Sequence, residues 1–203
     1  MKCLDKTFYE RDTLIVAQEL LGKYLVRQYN GEYIVGRIVE AEAYIGAIDK
    51  ACHAYGGKQT KRTQTLYASG GTCYVYLIYG MYYCANIVTE PENVAAAILL
   101  RGVEIIEGQE LASKLRYKKE WTELNKTQRK NLANGPGKLC NALALTKADN
   151  NNSFMRADLF ITDEWKDHEP KAFEVITGPR IGIGYAEEAV DFPWRFCLKE
   201  SGI

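Results

Sequence analysis

Only two histidines occur in this chain, His53 and His168, and none of its six cysteines forms a C-x-x-C pair. A zinc site therefore has no recognisable ligand set, and no metal is expected. The longest apolar run, Val94 to Leu100, covers seven residues, whereas a membrane-spanning helix needs about 20. The start, MKCLDKTFYERD, is charged throughout and has no secretory pattern. An intracellular protein with reduced thiols and no membrane association is expected. Several catalytic engines are missing as well. There is no G-x-x-x-x-G-K-[ST] phosphate loop, no G-x-S-x-G elbow, and neither histidine sits in an H-E-x-x-H context. The one dinucleotide-like stretch, Gly182 to Glu187, puts a glutamate where a third small residue must let strand and helix approach. Net charge is absent too, with 26 basic and 26 acidic residues.

What is present is a chain of 203 residues, 47% apolar and 26% charged, sufficient for one domain spanning residues 1–203 with a sizeable core. Its charge is unevenly spread. Residues 50 to 89 carry Lys50, Lys58, Lys61 and Arg62 and no acid, and residues 114 to 138 carry eight basic residues against Glu120 and Glu123. From Asp149 onward the balance reverses, with eleven acidic residues against six basic. Such a distribution gives an anion-attracting face and a repelling back.

Asp12 is placed to cap a helix in which Leu14, Ala17 and Leu21 share a stripe and Gly22 supplies the stop. KYLVRQY and EYIVGRIVEAEAY flank Asn30-Gly31, the dipeptide of a two-residue type I′ hairpin turn. Side chains alternate along a strand, so Glu40, Glu42 and Tyr44 are expected on one face and Val39, Ala41 and Ala43 on the other. Residues 46 to 71 form a long irregular connection carrying His53 and Tyr55. A second hairpin is expected from Thr72 to Ile78 and Tyr82 to Thr89, with Tyr79 at its tip. One more strand is expected over Val94 to Val103, ending near Arg101. Helices are expected over Glu107 to Arg116, Glu123 to Ala133 and Lys138 to Leu145, with Asn134-Gly135-Pro136-Gly137 as punctuation, and short strands and turns thereafter. Together these predict an α+β fold on a curved antiparallel sheet with surrounding helices.

The residue types that carry chemistry are concentrated in the carboxylates Glu40 and Glu42, the aromatic Tyr44, His53, and the block YVYLIYGMYYCAN from Tyr74 to Asn86. The segments RIVEAEAYIGAIDKACHAYGG, TCYVYLIYGMYYCANIV, AILLRGVE, NGPGKL, RIGIG and PWRF occur in that order over nearly the whole chain. In this set the chain resembles the alkyladenine, or 3-methyladenine, DNA glycosylase family.

That resemblance implies a repair enzyme that flips alkylated or deaminated purines from duplex DNA and cleaves the N-glycosidic bond with water. It implies that Glu42 is the general base and that Arg101 lies near the attacking water and the nucleotide backbone. Tyr44, His53 and Tyr76 are implied to sandwich the base, Asn86 to discriminate among purines, and the Ile181 carbonyl to hold the water. Tyr79 is implied to be the wedge that fills the gap left in the duplex, making its hairpin a protruding DNA wedge, and Lys58, Lys61 and Arg62 are the expected backbone contacts. No cofactor, metal or lyase chemistry is implied. The expected partner is double-stranded DNA containing damaged purines, met by a monomer in the cytoplasm of a prokaryote or the nucleus of a eukaryote. Two departures stand out: Arg62-Thr63 replaces the family's common Arg-Asn, and Glu200 stands where a small residue is usual. Two other readings compete, a silent damaged-DNA binding module and an enzyme acting on small nucleosides or sugars. Arg101 has a structural alternative in a strand-end salt bridge with Glu104.

Overall fold

Two short helices, α1 (Lys6–Tyr9) and α2 (Thr13–Glu19), open the chain. Asp12 caps α2, its Oδ1 accepting from the Leu14 and Ile15 amides at 2.9 and 3.0 Å, which satisfies two donors that a helix start leaves unpaired. The Val16 and Ala17 face of α2 is buried, as are Leu20 and Leu21 just beyond it. Each such leucine contributes about 2 kcal/mol of burial. Residues 2–166, 168 and 173–199 are described by this computed structural model; Glu200 lies outside them.

Strands β1 (Tyr24–Tyr29) and β2 (Glu32–Ile45) form the first hairpin, and Asn30 and Gly31 turn it with φ of 50° and 84°, the left-handed pair a type I′ turn requires. Next come β3 (Cys73–Ile78), β4 (Tyr82–Val88) and β5 (Ala96–Glu107). Three helices follow, α3 (Gln109–Tyr117), α4 (Lys126–Lys130) and α5 (Pro136–Ala142). The chain then adds β6 (Met155–Arg156), β7 (Leu159–Thr162), β8 (Val175–Gly178) and β9 (Arg195–Leu198).

These strands make one curled antiparallel sheet in the order β3-β4-β5-β2-β1-β7-β6, and the fold is α+β. Strand β2 is its axis. It pairs β5 along most of its length, while its other edge pairs β1 over Glu32 to Arg37 and β9 over Glu40 to Glu42. The Glu42 backbone is thus held from both sides.

Alternation then sorts side chains between two environments. Ala41, Ala43, Val75, Ala85, Ile87, Ile98 and Leu100 point into the main core, against α2, Ala112 of α3 and Leu139, Cys140 and Ala142 of α5. The opposite phase of the same strands carries polar and aromatic groups. Tyr74 pairs Asn86, Asn86 pairs Leu99, and Leu99 pairs Glu42, so one row of the sheet crosses four strands and ends on a carboxylate.

The structure departs from the sequence expectations at several boundaries. Arg101 is inside β5 rather than at its end, because pairing with β2 continues to Glu107 past a bulge between Ile38 and Ala41. The helix expected over Glu123 to Ala133 is a 3-10 turn at Trp121–Glu123 followed by the short α4. Asn125 starts α4 afresh, its side chain accepting from the Gln128 amide at 2.8 Å. Pro136 is not punctuation but the first residue of α5, a position that tolerates its missing N–H.

Candidate active site

A cavity of about 470 Å³ lies over the polar phase of the sheet, within the ~300–1,000 Å³ range of small-molecule sites. The sheet supplies Tyr44, Tyr74, Tyr76, Cys84, Asn86, Leu99 and Arg101 as its floor. Three other segments supply walls. The irregular connection from 46 to 71 contributes Cys52, His53 and Arg62, the start of α5 contributes Pro136 and Gly137, and the loop before β9 contributes Ile181, Ile183 and Tyr185. A Cβ on Gly137 would come within 3.0 Å of Tyr82, so glycine lets the helix start approach the hairpin.

Glu42 is completely buried, and both of its oxygens are held. Oε1 accepts from the Ile181 amide at 2.7 Å and lies 3.4 Å from Arg101 Nε, and Oε2 accepts from the Tyr44 hydroxyl at 2.7 Å. Burial pushes the Glu42 carboxyl above the usual carboxylate range, while the Arg101 guanidinium, the Ile181 amide and the Tyr44 hydroxyl pull it back. Arg101 donates from the same Nε to Glu40 at 3.1 Å. Glu104, its sequence-level rival, pairs with Arg37 instead. Ile181 meets Glu42 through its N–H, a contact distinct from the carbonyl role the resemblance implies.

His53, Tyr74 and Tyr76 form an aromatic cluster in the cavity lining. The His53 and Tyr76 rings meet edge to face with centroids 4.8 Å apart. His53 Nδ1 is 2.9 Å from the Tyr74 hydroxyl, and Nε2 is 3.3 Å from Arg62. A guanidinium can only donate, so Nε2 accepts and the ring proton is on Nδ1. Burial and Arg62 push the His53 imidazole down to about 4, so it is neutral at pH 7. The Arg62 guanidinium also lies 5.1 Å over the Tyr76 ring. Asn86 is buried and donates its amide to the Tyr74 carbonyl at 2.9 Å. Tyr79 stands 82% exposed at the tip of the second hairpin, and it and Gly80 turn the chain with φ of 53° and 70°. Lys58 and Lys61 are exposed on the irregular connection.

The family model for methylpurine-DNA glycosylase matches residues 7–202. This chain belongs to that family. Similar proteins carry the name "Putative 3-methyladenine DNA glycosylase". One from Clostridium perfringens (strain SM101) is 54% identical over 98% of this chain and 96% of its own length. Another from Alkaliphilus oremlandii (strain OhILAs) is 50% identical over 98% and 96%, and a third from Desulfitobacterium hafniense (strain Y51) is 47% identical over 99% and 97%. The chain is a DNA glycosylase of base excision repair, and DNA is its substrate.

Within this glycosylase, three residues beside the cavity escaped the sequence reading. Arg180 and Asp49 form an ion pair with both side chains completely buried. Arg180 also donates to the Ala43 carbonyl at 2.8 Å and the Ala189 carbonyl at 3.2 Å, and its guanidinium lies 4.7 Å from the Tyr44 ring centroid and 5.0 Å from that of Trp194. It ties the segment that presents the Ile181 amide to the strand that presents Glu42. Arg195 donates to Glu40 Oε1 at 3.1 Å. Among the described residues no group of three or more His, Cys, Asp or Glu side chains is placed to hold a metal ion, and no helix is long and apolar enough to cross a membrane.

Proposed function

We propose that this glycosylase flips an alkylated or deaminated purine, such as 3-methyladenine, from duplex DNA and hydrolyses its N-glycosidic bond with water activated by Glu42. The observation that carries this reading is the setting of Glu42, a fully buried carboxylate fixed between Arg101, the Ile181 amide and Tyr44 beside an aromatic-walled cavity. As the bond to the base breaks, its electron pair leaves with the purine and positive charge develops on the sugar. The water oxygen bonds to the anomeric carbon, and its proton passes to Glu42. A cationic alkylated purine leaves neutral on taking that electron pair, whereas a neutral purine such as hypoxanthine takes up a proton from solvent as it departs; either way an abasic site remains.

Tyr44, His53 and Tyr76 are the groups suited to stack and contact the extruded base. Asn86 and the neutral His53 offer fixed polar edges against which purines differ, and Tyr79 is suited to enter the stack behind the flipped nucleotide. Lys58, Lys61 and Arg62 are the proposed backbone contacts, with affinity that falls steeply with salt. Chemistry stops at base release. A lyase step needs an amine nucleophile, and among the described residues no lysine lines the cavity. The protein works as an intracellular monomer on double-stranded DNA, with Glu42 and water sufficient for the reaction.

The test uses duplex oligonucleotides containing 1,N6-ethenoadenine or hypoxanthine, incubated with wild type and Glu42→Gln. Base release by wild type alone, without strand cleavage, supports the reading. Binding without release by both proteins supports a silent binding module, and release only from free nucleosides supports a small-molecule enzyme.

A further inference from the structure

The mechanism above leaves unused Glu40, a buried carboxylate next to the catalytic base. Glu40 lies two residues before Glu42 on the same face of β2 and is 5% exposed. Its Oε1 accepts from Arg101 Nε at 3.1 Å and from Arg195 at 3.1 Å. A buried carboxylate that meets two guanidinium groups is well compensated. Arg101 Nε is therefore shared between two glutamates, and its separation from Glu42 Oε1, 3.4 Å, is the longer of the two. The groups form a line of alternating charge, Arg195, Glu40, Arg101, Glu42, supplied by β9, β2, β5 and β2 again.

This order has a chemical consequence. A guanidinium that closed fully on Glu42 would saturate the lone pairs a base needs and weaken its pull on a water proton. A second carboxylate drawing the same N–H away leaves Glu42 partly compensated and still basic. Arg101, held by Glu40, also stays on the cavity wall it lines.

Building on the assignment of Glu42 as the base, we propose that Glu40 is a positioning residue for base release: anchored by Arg195, it fixes the Arg101 side chain and keeps its Nε only loosely engaged with Glu42. The other groups facing Glu42 are Tyr44 from β2, the Ile181 amide, Cys84 from β4 and Cys197 from β9.

Two substitutions make opposite predictions. Glu40→Gln removes a negative charge beside Glu42 and frees Arg101 to pair with it. The acid limb of the single-turnover rate moves to lower pH, and the plateau falls roughly tenfold to a hundredfold as the base weakens and Arg101 loses its aim. Arg195→Gln removes a positive charge and leaves Glu40 to draw Arg101 further from Glu42, so the acid limb moves to higher pH. General loosening of the fold gives no such pair of opposed shifts. The measurement is base release from a 1,N6-ethenoadenine duplex at saturating protein from pH 5 to 9, for wild type and both variants. Opposed shifts support the proposal. An active wild type with acid limbs that stay put, or shift the same way, in both variants overturns it while leaving Glu42 as the base. A wild type that releases no base overturns both assignments together. Should Glu40→Gln fail to fold, the direction of the Arg195→Gln shift decides alone, since the Arg195 side chain is 30% exposed and its loss is tolerable.

Discussion

The Tyr44 hydroxyl donates to Glu42 Oε2 at 2.7 Å, from a ring two residues along the same strand face. One side chain thus contributes an aromatic wall to the cavity and a hydrogen bond to the carboxylate. Tyr44→Phe separates these contributions, because it keeps the ring and deletes the donor.

That donor favours the charged form of Glu42 and holds its carboxyl down against the upward push of burial. Without it the carboxyl titrates at higher pH. Tyr44→Phe is therefore expected to lose base release first at the acid end of the profile and to retain most of it at alkaline pH. Single-turnover rates from pH 5 to 9 test this. An unmoved acid limb would detach Tyr44 from the base.

The buried pair of Arg180 and Asp49 fixes the segment carrying the Ile181 amide. Removing one partner strands the other charge out of water, so Asp49→Asn is expected to destabilise the protein by about 3–5 kcal/mol. Urea denaturation followed by tryptophan fluorescence measures this, and a change below about 1 kcal/mol would mean that the pair is dispensable for folding.

Tyr79 has its side chain largely in solvent. Tyr79→Ala is expected to leave stability within about 0.5 kcal/mol of wild type, as for an exposed substitution away from the core. Base release from a paired duplex should fall far more than release from a single strand, since only the duplex has a gap to fill. Equal losses on both would remove Tyr79 from the wedge role.

Local chemistry made much of this legible in the sequence. The Asn30-Gly31 turn set the register of β2, and alternation from that turn placed Glu40, Glu42 and Tyr44 opposite Ala41 and Ala43. The glycine after Tyr79 marked the hairpin tip, and Asp12 marked a helix start. What was not legible depends on distant pairings. Arg180 meets Asp49 across 131 positions and Arg195 meets Glu40 across 155, and no periodic pattern announces either pair. The segment from 46 to 71 has no regular repeat because it is built from short 3-10 turns at Gly46–Ile48, Tyr55–Gly57 and Gln64–Tyr67. Arg101 is expected near the end of an apolar strand over Val94 to Val103, yet pairing with β2 continues past Gly102, which pairs Glu40, to Glu107, where the residues are no longer uniformly apolar.

In the proposed mechanism the buried Glu42 carboxylate activates the water that releases the base. The most direct test of this step is the single-turnover rate of 1,N6-ethenoadenine release from a duplex at pH 7.5, wild type against Glu42→Gln, with both proteins saturating the DNA. The account predicts a loss of about a hundredfold to ten-thousandfold, with duplex binding retained and thermal stability undiminished, because the glutamine removes a desolvated charge. A Glu42→Gln protein that folds, binds and releases the base at the wild-type rate would contradict it.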